Sequence, residues 1–411
     1  MIVLKRVMGM IIPNTPFEKL LFKISLYQFL AYCGIFFLPK IICYIIQFSI
    51  TCSIILSYKY CPHKKRGTLD KDTKFVLAGM IMWIVLMMLR FYEGDIRHFH
   101  RLFFSSYGFL CYISPFIVYL DIDSEKLKQL AKWGVINIIA YCCVVYYFRD
   151  IFMVETAQEL WTQFEEDEYY NYLNIGQLIS FSYVYIGLFV IYGKMYYKTF
   201  IFVLFATIIG IIVPLLLGRR SACAMVLIFV LLYFVLKLRS NFSWILISLM
   251  IFWGLYTLYI TYIVEIEQLF PILFDRLTDD TRTWAEQELY RDFENDYWSI
   301  LFGRGILGMY HSPTYGPRTL IETGWLQMIL KGGIVFLSLY LYILISSFIK
   351  GFFYSKNRLV NAMSLYIFAN VLFLYPAGYL STDLRMICLW ICVGCCSCSS
   401  LRKSKTFDVK I

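Results

Sequence analysis

The feature that most constrains this chain is a series of long apolar runs, each about 17–22 residues in length. An α-helix of that length spans the hydrocarbon core of a bilayer. A transmembrane β-barrel would instead alternate apolar and polar residues over about ten positions. The runs therefore predict an all-α protein, a polytopic transmembrane helical bundle of about 12 helices.

The composition supports a membrane environment. Hydrophobic residues make up 60% of the chain and charged residues only 16%, whereas a soluble domain has about 25% charged residues. The surplus apolar surface cannot be buried in one core, so we expect it to face lipid. The predicted membrane helices are 21–38, 40–57, 75–91, 102–120, 130–148, 176–193, 199–217, 221–237, 243–263, 332–350, 359–376 and 383–399.

The basic residues predict an orientation in the membrane. Lys and Arg concentrate in alternate short loops, which marks those loops as cytoplasmic. With 58–74 inside, most of the 38 basic residues and both termini lie on the cytoplasmic side. The long polar stretch 264–331 then lies on the outer side of a cytoplasmic (inner) membrane. This topology accounts for the net charge of +10, so nucleic-acid binding is not needed to explain it.

The order of the runs divides the chain into three parts. Residues 1–263 hold membrane helices 1–9, residues 264–331 form one large, partly helical extracytoplasmic loop, and residues 332–411 hold helices 10–12 and a cytoplasmic tail. The N-terminus lacks the pattern of a cleavable signal peptide, so the first helix is expected to direct insertion. There is no convincing internal repeat, which weighs against transporters built from inverted repeats.

The 13 cysteines do not indicate a disulfide or metal framework. Most lie inside apolar runs, where cysteine behaves as a small hydrophobic residue. Cys395, Cys396 and Cys398 cluster near the last membrane exit, and packing of small residues at a helix end is favoured there over metal ligation or lipidation. The sequence predicts neither a metal nor a cofactor.

Two adjacent arginines stand at a tight turn between two apolar runs. Gly218–Ser221 leaves almost no loop, so Arg219 and Arg220 are expected at the membrane edge. One interpretation is a turn whose arginines extend to the interface. The other is a phosphate site, because a guanidinium binds phosphate oxygens in bidentate fashion. The predicted outer position favours the phosphate site, since basic residues are disfavoured in outer turns.

The stretch 264–331 combines helix and turn signals with further basic residues. Asp279–Tyr290 predicts the start of a helix, with Asp or Thr as its cap and Arg282 near its first turn. Leu301–Tyr310 carries Arg304 between glycines that suit a tight turn or a close backbone approach. The glycines of this stretch also match a nucleotide-binding pattern, but no strand–helix unit surrounds them, so the match carries little weight.

Three further polar residues, His311, Arg318 and Glu322, precede the next apolar run. Glu322 stands at a helix entrance, where it either interacts with the helix dipole or accepts a proton from a hydroxyl. Position alone favours the first interpretation. His311 is a second candidate proton acceptor, and Arg318 a further candidate for binding phosphate.

The plan and the motifs resemble the polymerase–ligase superfamily of bacterial surface polysaccharides, which includes O-antigen and capsule polymerases and O-antigen ligases. Gly218–Ala222 is similar to the family's Ser-Arg-Gly-type turn, with Arg220 as the matching residue. Arg282, followed by Leu301–Gly305, resembles the family's arginine, helix and leu-phe-gly-x-gly turn. Ile321–Gly333 resembles the segment that re-enters the membrane after the loop.

One departure from the family pattern bears on function. Ligases carry His followed by Asn in the re-entry segment, where this chain has Glu322 and Thr323. His311 lies eleven residues earlier and does not match that position. The difference favours a polymerase over a ligase.

The resemblance implies that the protein transfers a growing glycan from undecaprenyl diphosphate to another lipid-linked repeat unit, without a nucleotide. The product would be an O-antigen, a capsule or an exopolysaccharide. The implied partners are the undecaprenyl-diphosphate-linked glycan, membrane lipid, a chain-length regulator and a flippase. Aromatic residues around the loop either stack on sugar rings or belong to the membrane interface: Trp284, Tyr290, Trp298, Tyr310 and Tyr315.

The resemblance and the chemistry together suggest a role for each candidate residue. Arg220 and Arg282 are expected to hold the diphosphate, supported by the arginines at 219, 304 and 318. Glu322 is the candidate base, with His311 in reserve. Two alternatives stay open. A ligase would move the finished glycan to another acceptor, and a flippase would explain the helix count but not an outer loop of about 65 residues.

Overall fold

The computed structural model describes residues 13–63, 69–90, 108–147, 281–313, 316–321, 323–375 and 380–404, with isolated positions between 201 and 232. The chain divides into two compact units. One contains residues 1–136 and 281–408, and the other contains residues 137–280 and 409–411. All elements below belong to the first unit, except the end of α5, which reaches into the second.

Helices dominate the described part of the chain. Before the long polar stretch they are α1 (Pro16–Phe37), α2 (Lys40–Tyr60), α3 (Lys71–Leu89), α4 (Phe109–Ile113), a 3-10 helix (Ser114–Tyr119) and α5 (Ser124–Tyr147). Then follow α6 (Thr281–Phe293), α7 (Tyr297–Phe302), the strands β1 (Tyr310–Ser312) and β2 (Gly316–Arg318), α8 (Gly324–Phe353), α9 (Arg358–Phe373), α10 (Leu384–Cys396) and α11 (Ser399–Lys403). The two strands form an antiparallel hairpin in which His311 faces Pro317.

Most predicted apolar runs that fall on described residues coincide with helices. Among these residues, three helices are long and apolar enough to cross a membrane: Ile41–Tyr60, Lys71–Leu89 and Gly324–Phe353. The run 102–120 is divided, since α4 passes into a 3-10 helix at Ser114 and Pro115. The runs 176–193 and 243–263 lie outside the described residues. The chain is thus compatible with a membrane protein, and the number of about 12 spans stays a prediction.

The surfaces of α2 and α3 carry apolar side chains outward as well as inward. On α3, Thr73, Leu77, Met80, Ile84 and Met87 are buried, and an opposite stripe that includes Phe75, Met82 and Leu89 is exposed. A helix that is apolar on all sides is typical of the core of a large protein or of a membrane span. Because the stripe is exposed, the membrane span is the interpretation that fits.

Two polar residues, Lys23 and Gln28, lie within the apolar run of the first predicted helix, 21–38. The structure gives Lys23 partners on α2, where its Nζ donates to Ser57 Oγ at 2.6 Å and to the Ser53 carbonyl at 3.2 Å. The helix also begins earlier than the run. Thr15 Oγ1 accepts a hydrogen bond from the Glu18 backbone N–H at 3.1 Å, which caps the first turn.

The helices α3 and α8 pack side by side and carry a cluster of charges at one end. Arg402 donates from both Nη atoms to the Asp70 carboxylate, at 2.9 and 3.2 Å. Lys350 Nζ lies 3.3 Å from Asp70 Oδ2 and also hydrogen-bonds to Asp72. Within this unit, the start of α3, the end of α8 and the C-terminal segment are therefore held together.

Other segments predicted as cytoplasmic also contact one another. The Asp121 backbone N–H donates to the Pro62 carbonyl at 2.9 Å, and Lys356 N donates to the Arg402 carbonyl at 2.9 Å. Near the N-terminus, Glu18 pairs with Lys132 at 2.8 Å. Among the described residues, the N-terminal segment, 58–74, 121–132, 350–358 and the C-terminal segment thus each contact at least one other of these segments.

The end of the long polar stretch is folded onto the start of α8. Hydrophobic residues from α6, β1, α8 and the segment before α8 form one buried cluster: Leu289, Phe293, Tyr310, Ile321, Leu326, Ile329 and Leu330. Helix α8 begins at Gly324, earlier than the run 332–350 indicated, because its first turns are buried against α6 and the hairpin. Gln327 and Lys331 lower the hydropathy of these turns, so the apolar run predicted from the sequence does not include them.

Candidate functional site

A break in α8 is the organising feature of the candidate site. Gly333 has φ of 70° and ψ of −178°, so the helix is interrupted there. Carbonyls just before the break find partners outside the helix. Arg304 N donates to the Leu330 carbonyl at 2.8 Å and Gly305 N to the Lys331 carbonyl at 2.9 Å. Trp83 Nε1 donates to the Gly332 carbonyl at 2.8 Å. The turn after α7 and the indole of α3 therefore cap a helix break that would be unfavourable in an apolar environment.

The glycines of the turn allow this close approach. Gly303 and Gly305 have φ of 72° and 85°, values that disfavour residues with a Cβ. A Cβ on Gly303 would lie 2.4 Å from the Lys331 carbonyl oxygen, and one on Gly305 would lie 1.9 Å from the Arg90 carbonyl oxygen. The prediction of a tight turn with close backbone approach is confirmed.

Arg304 lies between these glycines and points into the folded loop. Its side chain is 2% exposed. Its Nη1 hydrogen-bonds to Asp292 Oδ2 and to the Met309 carbonyl, the latter at 2.8 Å, and its Nη2 lies 3.4 Å from Asp296 Oδ2. The guanidinium also stands 4.8 Å from the centre of the Phe293 ring. Arg304 therefore joins α6 to the turn, a position better suited to holding the loop than to contacting a substrate.

The acidic partners of Arg304 were not among the candidates from sequence. Asp292 stands in the last turn of α6, where the helix dipole disfavours a negative charge unless a cation is near. Asp296 accepts hydrogen bonds from both the backbone N–H and the hydroxyl of Ser299 at the start of α7. Although partial burial acts to raise it, the pKa of Asp296 is lowered because Ser299 and Arg304 stabilise the carboxylate.

Asp292 also brings His311 into the site. The Asp292 Oδ1 and His311 Nδ1 atoms are 3.9 Å apart, and the His311 side chain is 53% exposed. The Asp292 carboxylate is thus shared between a buried guanidinium and an accessible imidazole. An imidazole beside a carboxylate can accept a proton on its other nitrogen, because the carboxylate stabilises the resulting imidazolium.

A second carboxylate, Glu288, lies one helical turn before Asp292 on the same face of α6. Glu288 is buried, and in the described part of the structure its Oε2 atom has no hydrogen-bond partner. The sequence carries no local signal that separates Glu288 from the other acidic residues of α6. Its position places two carboxylates on one helix face.

Of the remaining site residues predicted from the sequence, only some lie among the described residues. Arg318 lies in β2 opposite Tyr310, one position from the pair that contains His311. Arg282 stands in the first turn of α6, as predicted, although its side chain lies outside the described residues. Arg219, Arg220 and Glu322 also lie outside them. The residue after Glu322 is placed, and Thr323 Oγ1 hydrogen-bonds to Glu286, which ties α6 to the start of α8.

Further buried charges lie at the break in α8 and at the start of α10. Lys331, next to the break in α8, donates from Nζ to the Gly308 carbonyl at 2.7 Å. At the start of α10, Asp383 accepts from the Met386 backbone N–H at 2.8 Å, and Arg385 Nη2 lies 3.9 Å from its Oδ2. Such groups are costly in a membrane and are usually paired or functional.

Comparisons with protein-family models, with curated proteins and with solved structures gave no match for this chain. The site itself therefore carries the functional argument. It offers a half-exposed imidazole next to a carboxylate, a neighbouring arginine on the same hairpin, and a turn anchored in the break of an apolar helix.

Proposed function

We propose that this protein polymerises oligosaccharide repeat units linked to undecaprenyl diphosphate into a surface polysaccharide. One observation carries the proposal. Two separate stretches that resemble the polymerase–ligase superfamily, Leu301–Gly305 and the end of Ile321–Gly333, are joined to each other by backbone hydrogen bonds. A pair of motifs that form one folded unit is better support than either motif alone.

The proposed reaction forms one glycosidic bond and breaks one bond to phosphate. A hydroxyl at the non-reducing end of the acceptor unit attacks the anomeric carbon of the donor glycan. The bond between that carbon and the diphosphate oxygen breaks, and its electron pair leaves with undecaprenyl diphosphate. The hydroxyl proton passes to a base of the protein. No nucleotide is consumed, because the leaving diphosphate already makes the donor reactive.

Arginines stabilise the negative charge on the leaving diphosphate in this proposal. Arg220 and Arg282 bind its oxygens, because a guanidinium can hold two of them at once. Arg219 and Arg318 are proposed to support them, since a guanidinium binds phosphate oxygens. Arg304 was grouped with these arginines by sequence, but its buried pairing with Asp292 favours a positioning role.

The base is proposed as Glu322, with His311 as the second candidate. Thr323, the residue after Glu322 in the sequence, is hydrogen-bonded to Glu286 of α6. The geometry around His311 supports a proton acceptor there too, because Asp292 lies beside its Nδ1. Replacement of each residue in turn separates the two candidates.

We also propose the topology given by the charge pattern: about 12 membrane helices, both termini in the cytoplasm, and residues 264–331 outside. The mutual contacts of the basic segments support it. Asp70, Lys350 and Arg402 meet at the start of α3, whereas Gly305 contacts Arg90 just beyond its end. The folded loop and the cluster of charges around Asp70 therefore lie at opposite ends of a helix long enough to cross the membrane.

Deletion of the gene in its own organism tests the function directly. If the protein is a polymerase, the deletion strain will carry single repeat units in place of long chains. Accumulation of long chains on the carrier lipid would instead indicate a ligase, and repeat units left facing the cytoplasm would indicate a flippase. Restoration of the polymer by the wild-type gene is the necessary control.

A further inference from the structure

The short helix α7 exposes large aromatic and apolar side chains and buries a polar one, which is the reverse of a helix on a water-exposed loop. Tyr297 is 73% exposed and Trp298 is 68% exposed, and Leu301 is exposed beside them. The polar residue of the helix, Ser299, is buried and bonded to Asp296. Apolar side chains that point outward while a hydroxyl points inward indicate that the outer face of α7 does not contact bulk water.

The exposed face of α7 adjoins the exposed apolar stripe of α3. The Trp298 ring stacks on Phe302 with centroids 5.4 Å apart, and Phe302 stacks on Trp83 of α3 at 5.8 Å. Trp83 stands beside the outward-facing Met82 and Leu86 of the stripe. A continuous apolar surface thus passes from a helix long enough to span a membrane to the short helix of the loop.

The chemistry of the helix identifies lipid as the occupant of this surface. Residues 297–302 carry no charge, and Trp and Tyr are enriched where the headgroups meet the hydrocarbon. Asp296 and Arg304, the charged residues on either side, are paired with each other inside the loop. A second copy of the chain is a poorer fit, because three side chains fall far short of the roughly 1,200–2,000 Å² of a stable protein interface.

We propose that α7 lies in the membrane–water interface with Tyr297, Trp298 and Leu301 inserted among the lipids. The Gly303–Gly305 turn follows directly and is fixed to the break in α8. Lipid contact of α7 therefore holds this turn, and the site that adjoins it, at the depth of the lipid phosphates. The inference concerns the membrane position of the loop and does not depend on the proposed enzymatic activity.

Fluorescence quenching by brominated lipid tests the proposal on the full chain. Wild type and Trp298→Phe are reconstituted in phosphatidylcholine vesicles with ordinary or brominated acyl chains. In ordinary vesicles the emission of the two proteins should differ by about one part in nine, since the chain has 9 tryptophans. In brominated vesicles the difference should vanish, because the bromine atoms quench Trp298. Aqueous acrylamide should not remove it.

Two results would overturn the proposal. If acrylamide removes the difference and brominated lipid does not, Trp298 faces water. If neither quencher removes it, protein covers the residue, as a second copy would. Trp390→Phe is the control, because Trp390 is fully buried and brominated lipid should leave its contribution in place. Leu301→Trp in the Trp298→Phe background provides a second reporter on the same face, which should regain sensitivity to brominated lipid.

Discussion

Replacement of Gly305 by alanine tests how the loop is attached to the helices. The Cβ of Gly305→Ala would lie 1.9 Å from the Arg90 carbonyl oxygen and 3.0 Å from that of Met87. Relief of this overlap requires a shift of more than an ångström, which breaks the hydrogen bond from Gly305 N to the Lys331 carbonyl and strains that from Arg304 N to Leu330. Each buried group left without its partner costs about 1–3 kcal/mol. The φ of 85° adds about 1–2 kcal/mol for alanine.

Together these effects predict a loss of about 3–8 kcal/mol, a large part of the stability of a typical domain. The measurement is the unfolding temperature of the purified protein in detergent, followed by a dye that reacts with cysteines as they become exposed. Gly316→Ala is the matched control, because Gly316 has a similar φ of 72° but no atom within 4 Å of an added Cβ. It should lose only the backbone term of about 1–2 kcal/mol. Equal unfolding temperatures for the two variants would show that the turn is not docked as described.

The remaining predictions concern the proposed chemistry and the pH dependence of stability. Arg220→Ala and Arg282→Ala should each abolish long chains, judged by gel electrophoresis of the polysaccharide, while the amount of protein in the membrane is unchanged; normal chain lengths in both would contradict diphosphate binding. Glu322→Gln should be nearly as damaging if Glu322 is the base. If that variant is silent and His311→Gln abolishes polymer, the base is the imidazole, and if both are silent neither residue is. Asp296 has a lowered pKa, so its carboxylate stabilises the fold above the ordinary value of 3.8, and this stability is lost as the pH falls through the lowered pKa. The difference in unfolding temperature between wild type and Asp296→Asn should therefore shrink below pH 3.8, and a difference that is constant with pH would refute the assignment.

The turn at residues 303–305 shows what local sequence can predict. Two glycines around an arginine indicate a close backbone approach, and the structure confirms it. The identity of the approached groups is not local information. They are the carbonyls of Lys331 and Arg90, and their positions depend on how α3 packs against α8. Sequence therefore predicted the kind of contact but not its partner.

Among the described residues, the hydropathy pattern predicted the positions of most helices. It did not identify the buried polar groups within them. Averaging over a run conceals single charges, so Asp383 and Arg385 were absorbed into the run 383–399, although they are buried and paired at the start of α10. The six residues of α7 are too few to register as an apolar run, so hydropathy did not indicate its exposed Tyr297 and Trp298. In both cases the deciding information is which way a side chain points.

Arginines in this chain illustrate why residue type alone does not assign a role. Arg304 has Asp292 and Asp296 within twelve residues, and the structure pairs it with both. Arg219 and Arg220 have no such neighbours, because the chain contains no Asp or Glu between Glu168 and Glu265. A counter-charge for them would therefore come from a distant segment or from a bound anion.

This contrast predicts opposite behaviour for two matched variants. Arg304→Met leaves Asp292 and Asp296 without their cation, and the loss should lie at the lower end of about 3–5 kcal/mol because both carboxylates remain partly exposed. Its unfolding temperature should fall. Arg220→Met removes a charge that has no counter-charge nearby in sequence, so its unfolding temperature should be unchanged or higher while long chains disappear. A stable Arg304→Met protein that makes no polymer would instead place Arg304 at the substrate.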